Sequence, residues 1–162
     1  MKYDLNVPDA ALPAYDILQY QGLEVPDSAE LTIPQLPKDI TILDDEELME
    51  LFTAQTSYMD FLSFQVALAQ VDERDAERKL DEAIAISTAN QPKGLAAVIK
   101  AAALSDPKVS KLSEEHSVKY NYRKIIEVMA NNIERDMYLV SRELTRRTSG
   151  GGPMTRARKF LP

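Results

Sequence analysis

An all-α fold is predicted by three features: Asp44 to Ala89 runs without a proline or glycine, the stretch from Pro107 to Arg147 is as uninterrupted after its first residue, and Pro92-Lys93-Gly94 breaks the chain between them. Both runs carry apolar residues at helical spacing. Near-equal lengths joined by a compact connection predict a long antiparallel helical hairpin, with a short tip helix, an extended Pro-rich N-terminal arm and a flexible basic C-terminal tail. The corresponding segments are an arm over 1–43, a hairpin over 44–147 with helices at 44–89, 95–104 and 107–147, and a tail over 148–162.

The arm is set by proline. Pro8, Pro13, Pro26, Pro34 and Pro37 each remove a donor and push the preceding residue toward extended geometry, which excludes a long helix. Ala10 to Tyr20 has room for one or two helical turns, whereas Leu31 to Leu43 alternates apolar and polar residues like a strand or a polyproline segment. Two readings stay open. The arm folds back over its own helices, burying Leu31, Ile33, Leu36, Ile40 and Ile42, or it reaches a neighbouring subunit. Tyr3, Leu5, Tyr15, Ile17, Leu18 and Tyr20 are too much apolar surface to leave in water, so Tyr15, Leu18, Tyr20, Ile33 and Leu36 are candidate protein-interaction residues.

The first long helix has a well-marked start. Asp44 is an N-cap, Glu47 completes a capping box, and Leu43 and Leu48 occupy the hydrophobic-staple positions. Asp45, Glu46 and Glu47 add charge that suits the positive end of the helix dipole. Further on, Leu48, Gln55, Leu62, Ala69, Ala76 and Ala83 recur every seven residues, with Phe52, Met59, Val66 and Leu80 four residues behind members of the series. That is a coiled-coil seam. Phe61 and Phe64 add a second apolar face, expected to meet the arm or another protomer. The group Asp72, Glu73, Asp75 and Glu77 reads as a solvated face rather than as carboxylate metal ligands.

Leu95 to Leu104 (LAAVIKAAAL) predicts the tip helix. Asp106 is then an N-cap with Pro107 at the first helical position, and Val109, Leu112, Ile126, Met129, Ile133, Val140 and Leu144 mark the apolar face of the second long helix. Beyond Arg147 the run TSGGGP predicts a hinge. The tail MTRARKFLP is either solvated, docked through Phe160 and Leu161, or in contact with phosphates through Arg156, Arg158 and Lys159.

One hundred and sixty-two residues with 44% apolar content suit one folded domain. No cysteine means no disulfide framework and no thiolate chemistry. The N-terminus has no signal-peptide pattern and no run of about twenty apolar residues occurs, so a soluble protein not secreted through a signal peptide and without a membrane partner is expected. The net charge of −7 is unevenly spread. Residues 1–50 carry 12 acids and 2 bases, residues 142–162 carry 6 bases and 1 acid, and an acidic total argues against a general nucleic-acid binder.

No catalytic, cofactor-binding or metal-binding residue is expected. His116 is the single histidine; it cannot furnish the two Glu-x-x-His units of a di-iron bundle, and neither a cysteine nucleophile nor a GxSxG elbow accompanies it. Gly150 to Gly152 lacks the GK[ST] of a phosphate loop. Tyr120, Tyr122, Arg123, Lys124, Arg142, Arg146 and Arg147 mix aromatic and basic groups as single-strand binders do, yet Glu127, Glu134 and Glu143 stand at ion-pair spacing from these bases.

The lead LPKDITILDDEEL, the hairpin pattern and the close MYLVSRELTRR resemble small helical-hairpin proteins of tailed bacteriophages, particularly those of actinobacteria, over about residues 36–147. Together with the long seam, the second apolar face and the two extended ends, this resemblance leads to the expectation of a non-enzymatic structural or assembly protein of a phage particle. It would act by helix-mediated oligomerisation and exchange of arms, with further copies or other phage structural proteins as partners, in the virion or the host cytoplasm. A more distant similarity of layout to phage recombination mediators implies the alternative, a protein that binds single-stranded DNA; such a protein would be expected to show more basic surface.

Overall fold

The computed structural model describes residues 7–25, 34–92 and 94–149, and all regular structure among them is helical. Four α-helices follow in order: α1 (Leu12–Tyr20), α2 (Asp45–Ala89), α3 (Ala96–Leu104) and α4 (Pro107–Thr148). Short 3-10 turns at Asp9–Ala11 and Ile40–Ile42 precede α1 and α2. No helix among the described residues is long and apolar enough to cross a membrane.

The helix limits follow local chemistry. Glu47 N–H donates to Asp44 Oδ1 at 2.8 Å and Asp44 N–H to Glu47 Oε2 at 2.9 Å, a closed capping box at the start of α2. At the start of α4, Asp106 Oδ1 accepts from Lys108 N–H at 2.9 Å, while its Oδ2 accepts from the Ser87 hydroxyl at 3.0 Å. One carboxylate thus caps α4 and ties it to the last turns of α2. α1 ends in a Schellman motif: Leu23 N–H reaches the Leu18 carbonyl and Gly22 N–H that of Gln19. Gly22 sits at φ 69°, a left-handed conformation that glycine adopts without a Cβ clash.

Two stretches of the expected arm differ from an extended chain. Ala10 to Tyr20 exceeds one or two turns, because Pro13 sits in the first turn of α1, where its missing N–H costs nothing. Before α2, Asp39 Oδ1 accepts from both the backbone N–H and the hydroxyl of Thr41, at 2.9 and 2.6 Å. This local turn outcompetes the extended form from Ile40 onward. The expected tail begins one residue late, since Thr148 still belongs to α4; Ile33 lies outside the described residues, as do Arg156, Arg158, Lys159, Phe160 and Leu161.

The chain divides into two compact units. The first joins 34–63 to 128–149 and therefore holds the beginning of α2 and the end of α4. Leu48 and Val140 are fully enclosed in it, and Tyr58, Leu62, Ala130 and Ile133 are nearly so. Gln55 is also fully buried, and neither its Oε1 nor its Nε2 has a hydrogen-bond partner among the described residues.

The second unit joins 7–25 to 64–127. Its core is thin: Leu68, Ala69, Ala76 and Ala83 of α2, Ala103 of α3, and Val109 and Ile126 of α4, with Ala11 ahead of α1. Within it α2 and α4 run antiparallel, since Asp72 meets Lys119 and Glu73 meets Arg123, while Ser87 meets Asp106.

Every member of the predicted series Leu48, Gln55, Leu62, Ala69, Ala76 and Ala83 is buried. The apolar face of α4 needs one correction. Met129 is 38% exposed, and the neighbouring Ala130 is buried in its place. The seam of α4 follows two seven-residue series, 109-116-123-130-137-144 and 112-119-126-133-140-147, and Met129 belongs to neither.

Candidate interaction surfaces

In the first unit, a cluster of charges joins the end of α4 to the start of α2. Glu143 is 7% exposed and accepts from Arg146 Nε and Nη2 at 2.7 and 2.5 Å and from Arg147 Nε at 2.9 Å. Arg147 then spans to α2, donating from Nη1 to Asp45 Oδ1 at 2.8 Å and from Nη2 to the Thr41 carbonyl at 3.2 Å. The hydrogen bonds from Arg146 and Arg147 pull the Glu143 carboxyl down to about 2. Arg147 therefore ties three segments of this unit together.

In the second unit the seam itself is charged. His116, Lys119 and Arg123 occupy seam positions of α4 and are half-buried. Arg123 donates to Glu73 and to Glu127, and Lys119 Nζ lies 2.5 Å from Asp72 Oδ2. The Arg123 hydrogen bond, with a smaller contribution from its charge and that of His116, holds Glu73 below the usual carboxylate range. Asp72 and Glu73 thus do not belong to a solvated face. The alanine-rich seam leaves room for long side chains from α4 to lie across it, so their carboxylate partners are partly covered as well.

These pairings bear on the candidate nucleic-acid set. Arg123, Lys124, Arg146 and Arg147 are all ion-paired, Lys124 through Glu127 at 3.0 Å. Arg142 is exposed and makes no ion pair among the described residues. Tyr120 is 43% exposed, and its ring centroid lies 5.5 Å from the Arg123 guanidinium carbon and 5.8 Å from Lys124 Nζ. Tyr122 lines a cleft of about 290 Å³ together with Pro8, Gln65, Leu68, Asp72 and Val118. The polar groups around that cleft are the Lys119–Asp72 pair, which satisfies itself, an amide and a phenol. Among the described residues no group of three or more His, Cys, Asp or Glu side chains is placed to hold a metal ion.

The candidate protein-contact residues fall into two groups. Leu36 and Phe61 in the first unit and Tyr15, Leu18 and Phe64 in the second are half-buried. Phe61 lies against Tyr58, with ring centroids 6.3 Å apart. Tyr20 stands open at 94% exposure. Around it α1 also exposes Leu12 and Ile17, with Leu23 just beyond, and α1 contains no buried residue. The α3 helix is similar: Leu95, Val98 and Leu104 are exposed on a helix whose single charged side chain is Lys100.

Sequence reading singled out neither the open face of α3 nor the Glu73–Arg123 pair. The signal for the pair was present, because Arg123 stands in the same seven-residue series as Val109 and Ala130. Compared with known proteins, the chain matches no family model, no curated protein and no solved structure.

Proposed function

We propose that this chain is a non-enzymatic structural or assembly protein that works by self-association, and, on its resemblance to phage helical-hairpin proteins, that it serves in a phage particle. The carrying observation is α1, a nine-residue helix without a buried residue that exposes Leu12, Ile17 and Tyr20. A helix so short is unstable in isolation, and apolar surface left open on it gains most when a second molecule covers it.

In this reading α2 and α4 form one long antiparallel hairpin, supported by Asp45 against Arg147 in one unit and by Glu73 against Arg123 in the other. Arms and basic tails would then link neighbouring hairpins. The ion-paired state of Arg123, Arg146 and Arg147 favours this structural reading over single-strand binding, because each base would have to surrender a carboxylate to meet a phosphate.

Sedimentation of the purified full chain across a concentration series tests the proposal. Species heavier than the 18.2 kDa chain are expected, with weak affinity for oligonucleotides even at low salt. A chain that stays monomeric at every concentration refutes it, and tight, salt-sensitive oligonucleotide binding returns the single-strand reading.

A further inference from the structure

α3 is apolar on nearly every side, a pattern that normally marks a fully covered helix. Ala103 is buried and Ile99 and Ala102 are half-buried, but Ala97, Val98, Ala101 and Leu104 form an exposed stripe at helical spacing, extended by Leu95. Lys100 flanks the stripe, and Lys108 and Lys111 follow on the first turns of α4; all three are exposed and none forms an ion pair among the described residues. Asp106, between α3 and α4, already accepts from Lys108 N–H and Ser87, while the exposed Glu114 and Glu115 lie one turn beyond Lys111, so the basic character centres on Lys100 and Lys108. An apolar stripe beside unpaired lysines thus stands out on a chain of net charge −7.

The complementary surface lies on the first unit. Around the start of α2, Asp39, Asp44, Asp45, Glu46 and Glu50 are exposed, and Ile42 and Met49 are open at 76% and 50%. Between Asp39 and Glu50 the sequence contains no lysine or arginine, and among the described residues Asp45 alone of these acids is ion-paired.

Resting on the self-association reading, the geometry points to a second copy of this chain as the occupant of the α3 stripe, docked through its acid-rimmed start of α2. Charge decides among the occupants. Two α3 stripes facing each other would bring lysines together, and an anionic lipid surface would repel an acidic chain, whereas stripe on acidic rim joins opposite charges around an apolar centre. Such a contact is heterologous, using different patches on the two copies, so it propagates into a ring or a filament.

A charge-swapped pair of full-length variants tests this. One carries Lys100→Glu with Lys108→Glu, the other Glu46→Lys with Glu50→Lys; all four sites are exposed and lie outside the capping hydrogen bonds made by side chains. Each variant alone is expected to associate about tenfold or more weakly than wild type. An equimolar mixture recovers association, because each altered patch finds its opposite on the other variant, and circular dichroism checks that both fold. If the variants associate as wild type does, or the mixture recovers nothing, the α3 contact is wrong while self-association stands. A monomeric wild type overturns both, and a wild type that stays monomeric yet co-sediments with anionic vesicles assigns the stripe to lipid instead.

Discussion

Arg123 on α4 donates through Nε to the carboxylate of Glu73 on α2, with Nη2 3.2 Å from the other oxygen, and the side chains keep only 14% and 13% exposure. A partly desolvated pair of this kind specifies which residues face each other more than it adds stability. Arg123→Leu strands Glu73 in the seam and is expected to lower the melting temperature by about 5 °C or more. Combining it with Glu73→Leu should recover most of that loss. Equal melting of the single and double variants would show that the two side chains are not coupled.

Gln55 makes the opposite case. Its amide is fully buried at a seam position between Leu48 and Leu62 and has no partner among the described residues. Gln55→Leu removes two unsatisfied polar atoms at nearly constant volume, and a gain of about 1–3 kcal/mol is expected. In urea the midpoint should rise with an unchanged slope; an unaltered midpoint would mean that the amide is satisfied in solution.

The capping box gives a local prediction. Asp44→Ala removes the acceptor for Glu47 N–H and should cost about 1 kcal/mol. Hydrogen exchange is the informative readout, since faster exchange should be confined to the first turn of α2 and spare its middle.

Acid should loosen the molecule in a defined window. The Glu143 carboxyl is held at about 2 against an ordinary 4.5, so between those values the unfolded chain takes up a proton that the folded chain refuses. The contribution is complete above about pH 5 and is lost as pH falls toward 2. Glu73, Asp75, Asp106 and Glu127 are lowered too and act in the same direction. Urea midpoints at pH 6, 4 and 3 should fall in that order, and the fall should be shallower in Glu143→Gln; an identical slope in the variant would exclude Glu143 as a contributor.

Much of the helical framework was legible because its signals are local. Asp44, Asp106 and Pro107 act on the backbone within a few residues, and the starts of α2 and α4 coincide with them. Thr41 is a local effect of the same kind that was read wrongly: alternation suggested an extended segment, and the Asp39 side chain imposed a turn. The candidate surfaces were less legible. Tyr20 and Phe61 look alike in sequence, yet one is open and the other half-buried, since a side chain's cover comes from residues far along the chain.

The sequence by itself determined where α2 and α4 begin and where α2 and α3 end, and the seven-residue series of α2 that is buried from Leu48 to Ala83. Only the tertiary structure decided that Arg123 and Arg147 face carboxylates across the seam, that Gln55 is enclosed without a partner among the described residues, and that α1 and α3 keep apolar faces open. The physical reason is reach. Capping and backbone preference are settled within a turn or two, whereas burial and charge pairing depend on which side of each helix its neighbours approach.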